Sequence, residues 1–387
     1  MIPYGRQDIT QEDVDAVVAT LRSDFLTQGP AVPRFEDSLA LRVGARAAVA
    51  VNSATSALHI ACMALGLGDG DLLWTVPNTF VASANVARYC GADVDFVDID
   101  PLTWNMSVGR LREKLEQARA RGRLPKVVVP VHFAGQPTEQ EEIASLGRTF
   151  GFRILEDASH AVGAARAGEP VGSCKWSDIT VFSFHPVKII TTTEGGMAFT
   201  QDEELAERMR LLRSHGITRN AARFQQLSAS ERADPPAWYY EQQTLGYNYR
   251  MTDLQAALGS SQLHRLDAYL ERRNALADRY ATKLAGLPLR LPCVQPTNHS
   301  SYHLYVVRVA DAGRRRAIFD ALRASGIGVN VHYMPVHLQP YYRALGFHEG
   351  QFPEAEAYGA DAITLPLYPA MTDAQQDEVV GALKAAL

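Results

Sequence analysis

The sequence predicts an α/β protein in two parts. A large domain, residues 1–250 with an N-terminal arm, is built on a mostly parallel sheet covered by helices, and a smaller α+β domain spans residues 251–387. Three observations predict it. Short apolar runs alternate with segments of helical periodicity through the larger, N-terminal part of the chain. Several of those runs are apolar throughout, as strands are when helices cover both faces of a sheet. Around Gly246 the alternation gives way to a long helical stretch and then to strand and helix segments.

The elements follow in order. "DITQEDVDAVVATLRS" opens with Thr10 and Asp13 in capping-box spacing and continues as an amphipathic helix. "RAAVAVN" with "SATSALHIACMALG" reads as strand, tight turn and helix. "LLWTVP" precedes the helical "FVASANVARYCG", and "DVDFVDID" precedes "VGRLREKLEQARARG". "KVVVPVHF" leads into "TEQEEIASLGRTFG", and "FRILED" follows. From Met251 to Ala285 one long helical stretch is expected, then a strand in "SYHLYVVRV", a helix in "GRRRAIFDALRASG" and a last helix in "TDAQQDEVVGALKAAL". "LPLRLPCVQPTNHSS" reads as a connection within the fold.

Composition narrows the function. With 387 residues, 47% hydrophobic and 21% charged, the chain is long enough for a large core. A net charge of −5 leaves no electrostatic footprint for nucleic acid. No apolar run is long enough to cross a bilayer, and the polar opening is not expected to be a signal peptide. Cys62, Cys90, Cys174 and Cys293 lie far apart, without metal-ligand spacing, and read as reduced thiols of a cytoplasmic protein.

In an open α/β sheet, ligands bind beyond the carboxyl ends of the strands. The residues just after each apolar run are therefore the informative ones. After "RAAVAV" come Ser53, Thr55 and Ser56 at a helix start, where free N–H groups, the helix dipole and hydroxyls make a phosphate cradle. After "LLWTV" comes the aromatic Phe80. After "FRIL" come Asp157 and His160, and after "ITVFSF" come Ser183 and Lys188. Each has a plain structural alternative: a helix cap for Ser53 or Asp157, core packing for Phe80, a satisfied polar group for His160, a snorkelling side chain for Lys188. Together they fit pyridoxal 5′-phosphate, which needs a lysine for its Schiff base, an acid against its pyridine nitrogen, a phosphate pocket and a stacking face. Metal-type His/Cys clusters, P-loops and nucleophile elbows are absent from the sequence.

At these residues the chain resembles the DegT/DnrJ/EryC1/StrS sugar aminotransferases, fold-type I pyridoxal-phosphate enzymes. The resemblance runs through "LTQGPAVPRFE", "NSATSALH", "VPNTFVASAN", "VPVHFAGQP", "EDASHA", "FSFHPVKIITTTEGG", "LRSHGI", "GYNYRMTDLQAAL" and "VHYMPVHLQPYY", nearly the whole chain. The wording of "NSATSALH", "WTVPNTFVASAN" and "GYNYRM" is most similar to the subgroup that aminates a UDP-4-keto-6-deoxy-N-acetylhexosamine on the way to pseudaminic acid.

The resemblance implies roles. Lys188 is the Schiff-base lysine and the group that moves protons, and Asp157 holds the pyridine nitrogen protonated. His160 lies near the ring's 3′-oxygen, where relatives carry Gln or His, and Phe80 stacks on the ring. Ala54, Thr55 and Ser183 hold the phosphate. Asn248 reaches the phosphate of a partner subunit, which implies a homodimer with shared sites. Tyr4, Leu26, Thr27, Arg213, Arg250, His332, Tyr333 and His337 are the expected substrate contacts. L-Glutamate is the implied amino donor and a UDP-keto-sugar the implied acceptor. Amination of another nucleotide keto-sugar, at C3 or C4 and on a TDP or GDP base, stays open. A non-catalytic cofactor-binding regulator is disfavoured, because such a protein has no use for a proton-moving lysine. Relatives that dehydrate carry histidine where this chain has Lys188.

Overall fold

The computed structural model describes residues 1–387. Its centre is a seven-stranded sheet of β1 (Ala47–Val51), β2 (Leu72–Thr75), β3 (Asp93–Phe96), β4 (Val127–Val128), β5 (Arg153–Asp157), β6 (Ile179–Ser183) and β7 (Gly196–Thr200). The spatial order is β1-β7-β6-β5-β4-β2-β3. From β3 across to β6 every pair is parallel, while β7 runs antiparallel to both β6 and β1. A parallel return needs a crossover: helices supply it for the pairs from β2 to β5, and between β5 and β6 the chain crosses over through the short strands Ala165–Arg166 and Glu169–Pro170 without a helix. β6 and β7 are joined by a loop with no helix, so they turn back on each other, and Lys188 sits in that loop.

Helices cover both faces, and two apolar cores result. β1 is buried at all five positions. Val49 and Val51 pack into one core with Leu73, Val127 and Leu155, while Ala48 and Ala50 pack into the other with Phe35, Phe182 and Phe199. The alternation is the period-two geometry of a strand buried on both sides. The first helix, α1 (Gln11–Leu21), starts at the expected capping box, with Thr10 N–H donating to Asp13 Oδ2 at 2.9 Å.

The C-terminal unit is a three-stranded antiparallel sheet of Leu289–Arg290, Tyr305–Val309 and Ala362–Leu365, backed by helices Arg315–Ala324 and Asp373–Ala386. Helix Pro353–Asp361 and the strand after it were not expected from the sequence.

Two expectations change. The long helical stretch is two helices, Asp253–Leu263 and Leu266–Leu284, meeting at His264 and Arg265. The first packs on α1 and on α2 (Ala31–Val43), and its Asp253 carboxylate accepts from the N–H groups of Gly29 and Ala31, each at 2.8 Å. It packs with the large unit, and so does the start of the second helix: Leu266, Tyr269 and Leu270 lie in the core with Phe35 and Phe182, and Leu276, Ala277 and Tyr280 in the C-terminal core. The N-terminal arm lies the other way. Ile2 is part of the C-terminal core, and Leu367 N–H donates to Tyr4 O at 3.0 Å.

Candidate active site

The strand ends meet at one cavity of ≈ 590 Å³. β1 runs into Ser53, whose hydroxyl accepts from Ser56 N–H at 3.1 Å and caps the helix Ala54–Ala64. The N–H groups of Ala54 and Thr55 are then the free donors of the first turn, and both residues line the cavity. Gly196 of β7 lies beneath them. A Cβ there would stand 2.5 Å from Ala54 N and 2.6 Å from Ser53 C, so only glycine lets the strand pass this close.

β5 presents Asp157, which is 5% exposed. Its Oδ2 accepts from Ser83 Oγ at 2.6 Å and its Oδ1 from Ser159 N–H at 3.1 Å. Phe80, 58% exposed, lies on the wall. The loop after β6 carries Ser183 and Lys188 into the same space. Ile189 and Ile190 anchor that loop in the core, and Thr191 Oγ1 donates to Phe184 O at 3.0 Å.

Lys188 shares the cavity with four histidines, His160, His185, His303 and His332. Its Nζ is 3.5 Å from His303 Nε2. Enclosure by protein lowers the Lys188 pKa to about 8, with the Asp157 carboxylate pulling it upward. Burial likewise holds His160 and His303 well below the usual imidazole range, with Lys188 adding to it, and brings His332 down to about 4. His160 Nδ1 accepts from Ala134 N–H at 3.2 Å, and its Nε2 lies 3.1 Å from the Tyr333 hydroxyl. His332 Nδ1 lies 2.8 Å from Thr364 Oγ1, and its ring is 5.4 Å from that of Tyr4.

The cavity thus gathers Tyr4, Ala54, Thr55, Phe80, Asp157, His160, Ser183, Lys188, His332 and Tyr333. Other expected contacts lie elsewhere. His337 is fully buried, bonded to Glu356 Oε1 at 2.9 Å and edge-on to Phe352. A carboxylate and a ring already use it, so it is a packing residue. Arg213 Nη1 donates to Glu36 Oε1 at 2.6 Å and to Ala50 O at 2.8 Å, which ties α2 to β1. Leu26 and Thr27 run beside Thr252 and Asp253, away from the cavity of their own chain. Asn248 is exposed, and Arg250 pairs with the end of β1 without lining the cavity.

Ser83 and His303 escaped the sequence reading. Ser83 follows three residues of the expected helix, and His303 lies two residues before an apolar strand in the other unit. Neither position carries a local signal, because what makes them functional is the meeting of chain segments far apart.

Residues 7–384 match the family model described as the DegT/DnrJ/EryC1/StrS aminotransferase family. The chain belongs to that family. It is 41% identical over 389 residues to SpsC, a spore coat polysaccharide biosynthesis protein of Bacillus subtilis, covering 99% of this chain and 96% of that one. Among solved structures it matches Spr1654 of Streptococcus pneumoniae, determined in PMP and PLP forms, with a TM-score of 0.90 for the PMP form at 32% identity over 100% of this chain and 99% of that one. It also matches PseC of Helicobacter pylori, an aminotransferase involved in the biosynthesis of pseudaminic acid, with a TM-score of 0.89 at 30% identity over 100% of this chain and 98% of that one. The protein is a sugar aminotransferase of this family, and its cofactor is pyridoxal 5′-phosphate.

The residues present fit that cofactor. Two free helix N–H groups and a serine hydroxyl line the cavity together with a carboxylate clamped by two donors and a lysine that pairs with no carboxylate.

Proposed function

We propose that this protein transfers the amino group of L-glutamate to the C4 ketone of a UDP-4-keto-6-deoxy-N-acetylhexosamine, giving a UDP-4-amino-4,6-dideoxy sugar. The observation that carries the reaction is Lys188: an enclosed amine, pKa lowered to about 8, in one cavity with Asp157 and the Ala54–Thr55 cradle. The likeness to PseC supports the choice of sugar.

Bound pyridoxal 5′-phosphate supplies a carbonyl that exchanges with amines and a ring that withdraws electrons. The N–H groups of Ala54 and Thr55 and the Ser183 hydroxyl hold its phosphate. Asp157, fixed by Ser83 and by Ser159 N–H, would hold the ring nitrogen and keep it protonated. Phe80 would offer a stacking face. His160 and Tyr333, joined at 3.1 Å, would orient the ring near its 3′-oxygen. Lys188, its pKa lowered to about 8, has a free-amine fraction far above that of an exposed lysine, and that amine would take the proton from the donor's α-carbon and later deliver one to C4 of the sugar. Tyr4 and His332 form the wall where the sugar enters.

Asn248 and Arg250 act across a homodimer in this reading. The segment that precedes them exposes Trp238 (74%) and Leu245 (73%), apolar surface suited to a second copy.

SpsC, at 41% identity, is a spore coat polysaccharide biosynthesis protein, and its likeness leaves a second reading: a different nucleotide keto-sugar, aminated at C3 or C4 on another base. Amino transfer from 15N-labelled L-glutamate to a panel of UDP-, TDP- and GDP-keto-sugars, followed by mass spectrometry, separates the two. Label in the UDP-linked 4-amino sugar is expected. Preferential labelling of another sugar selects the second reading, and no labelling of any leaves a non-catalytic cofactor-binding protein.

A further inference from the structure

His303 reaches the cavity from the residues just before the strand Tyr305–Val309, so it comes from the C-terminal unit although it faces Lys188 of the large one. It is 5% exposed, with its ring centroid 4.5 Å from that of His160. Both units fix its backbone. Ser301 N–H donates to Gly135 O at 3.1 Å, Ser301 Oγ to His160 O at 2.8 Å, and Leu304 N–H to Ala134 O at 3.3 Å. Behind it the buried Arg273 guanidinium donates to the carbonyls of Tyr302, His303 and Leu367 at 3.2, 3.3 and 3.1 Å. A buried cation held only by carbonyls is costly to place. Here it pins the stretch of backbone that carries His303.

The surroundings decide which nitrogen of His303 is protonated. Nδ1 is buried and has no partner. A buried N–H without an acceptor is costlier than an unfilled lone pair, so the proton sits on Nε2, the nitrogen facing Lys188. His160 follows the same pattern: its Nδ1 accepts from Ala134 N–H, which leaves its proton on Nε2, towards Tyr333. An ammonium has three donors and no lone pair. Opposite an imidazole N–H only the neutral amine finds a partner.

We propose that His303, as the Nε2–H tautomer, donates to Lys188 Nζ and thereby holds that lysine as a free amine, making His303 a positioning residue for the group that attacks and carries the proton. The proposal rests on the reading of Lys188 as the reacting amine. Burial works in the same direction, and Asp157 works against it. The other titratable groups lining the cavity with this lysine are Tyr4, His160, His185, Glu194, His332 and Tyr333.

The test is the pH dependence of Lys188 acylation in the cofactor-free full-length chain, read by peptide mass spectrometry with an amine-selective reagent. The wild-type midpoint is expected near the lowered value of about 8. His303→Phe keeps the burial and removes the donor, and should raise the midpoint by roughly 0.5–1 pH unit. His303→Gln, with an amide N–H near the place of Nε2, should restore it. An unchanged or lowered midpoint in His303→Phe overturns the proposal, because burial alone predicts that direction. If His303→Phe does not fold, 15N NMR of wild-type His303 decides: a bare Nδ1 with a protonated Nε2 supports the proposal, and the reverse or an imidazolium overturns it. Borohydride reduction of the cofactor-loaded wild type tests the underlying reading separately. Cofactor fixed to Lys188 sustains that reading whatever His303 does, and cofactor fixed to no lysine removes it.

Discussion

Ser83 Oγ donates to Asp157 Oδ2 at 2.6 Å, joining the start of the helix Ala82–Tyr89 to the end of β5. Thr79 Oγ1 lies 2.8 Å from the same hydroxyl, so the carboxylate proposed to face the cofactor's nitrogen is held by a short chain of hydroxyls. Ser83→Ala should loosen the carboxylate without removing it. Cofactor affinity is expected to weaken by roughly 2–12-fold, the worth of one such bond, measured by titrating the cofactor-free protein. Asp157→Ala should retain almost no cofactor and almost no activity.

Gly196→Ala tests the cradle. The added methyl would meet backbone atoms of Ser53 and Ala54 at 2.5–2.6 Å, and backbone cannot rotate away as a side chain can. A loss of about 1–3 kcal/mol is expected from the overpacking, seen as a lower Tm. Displacement of the helix start should also weaken binding of the cofactor's phosphate end more than Ser83→Ala weakens binding of its ring.

The buried histidines set an acid limit. His332 is brought down to about 4, and His160 and His303 lie well below their ordinary value near 6.5, in each case chiefly through burial. The unfolded chain therefore takes up protons from pH 6.5 downward that the folded chain refuses. Stability attributable to these groups is fully present above pH 6.5 and is lost as pH falls towards 4, on the order of 1 kcal/mol per pH unit for each. Thermal melts of the cofactor-free protein at pH 7, 6 and 5 should show the decline, and His332→Asn should flatten it.

His337→Ala distinguishes packing from recognition. His337 Nε2 bonds to Glu356, whose carboxylate also accepts from Gly350 and Phe352 N–H groups. Its removal should cost about 2–3 kcal/mol as a cavity and a lost charge-assisted bond, while KM for the sugar stays unchanged in protein that folds. A raised KM with an unchanged Tm would return His337 to the substrate pocket.

Much of the site was legible because parallel strands end on one edge. Ala54, Asp157 and Ser183 each stand at or just beyond an apolar run, and Lys188 follows in the next loop, so order along the chain predicts meeting in space. Legibility ended where position depends on packing between distant segments. His303 looks like a core residue in "SYHLYVV" until Arg273 and Ser301 bring its strand against His160. His337 lies five residues after His332, close enough in sequence to suggest a shared role, but the short helix at Val336–Leu338 turns it into the core beside Phe96. The break in the long helix was hidden for a related reason: helical periodicity runs on through His264, and the packing of the first helix on α1 and α2, with Asp253 holding Gly29 and Ala31, shows which elements it joins.

The most direct test of Lys188 as the reacting amine of a sugar aminotransferase is the visible spectrum of the cofactor-loaded protein through one turnover. A yellow band is expected that bleaches on excess L-glutamate and returns on adding the UDP-4-keto sugar, with Lys188→Ala blocking the cycle. A Lys188→Ala protein that binds cofactor and still aminates the sugar at the wild-type rate would contradict the account.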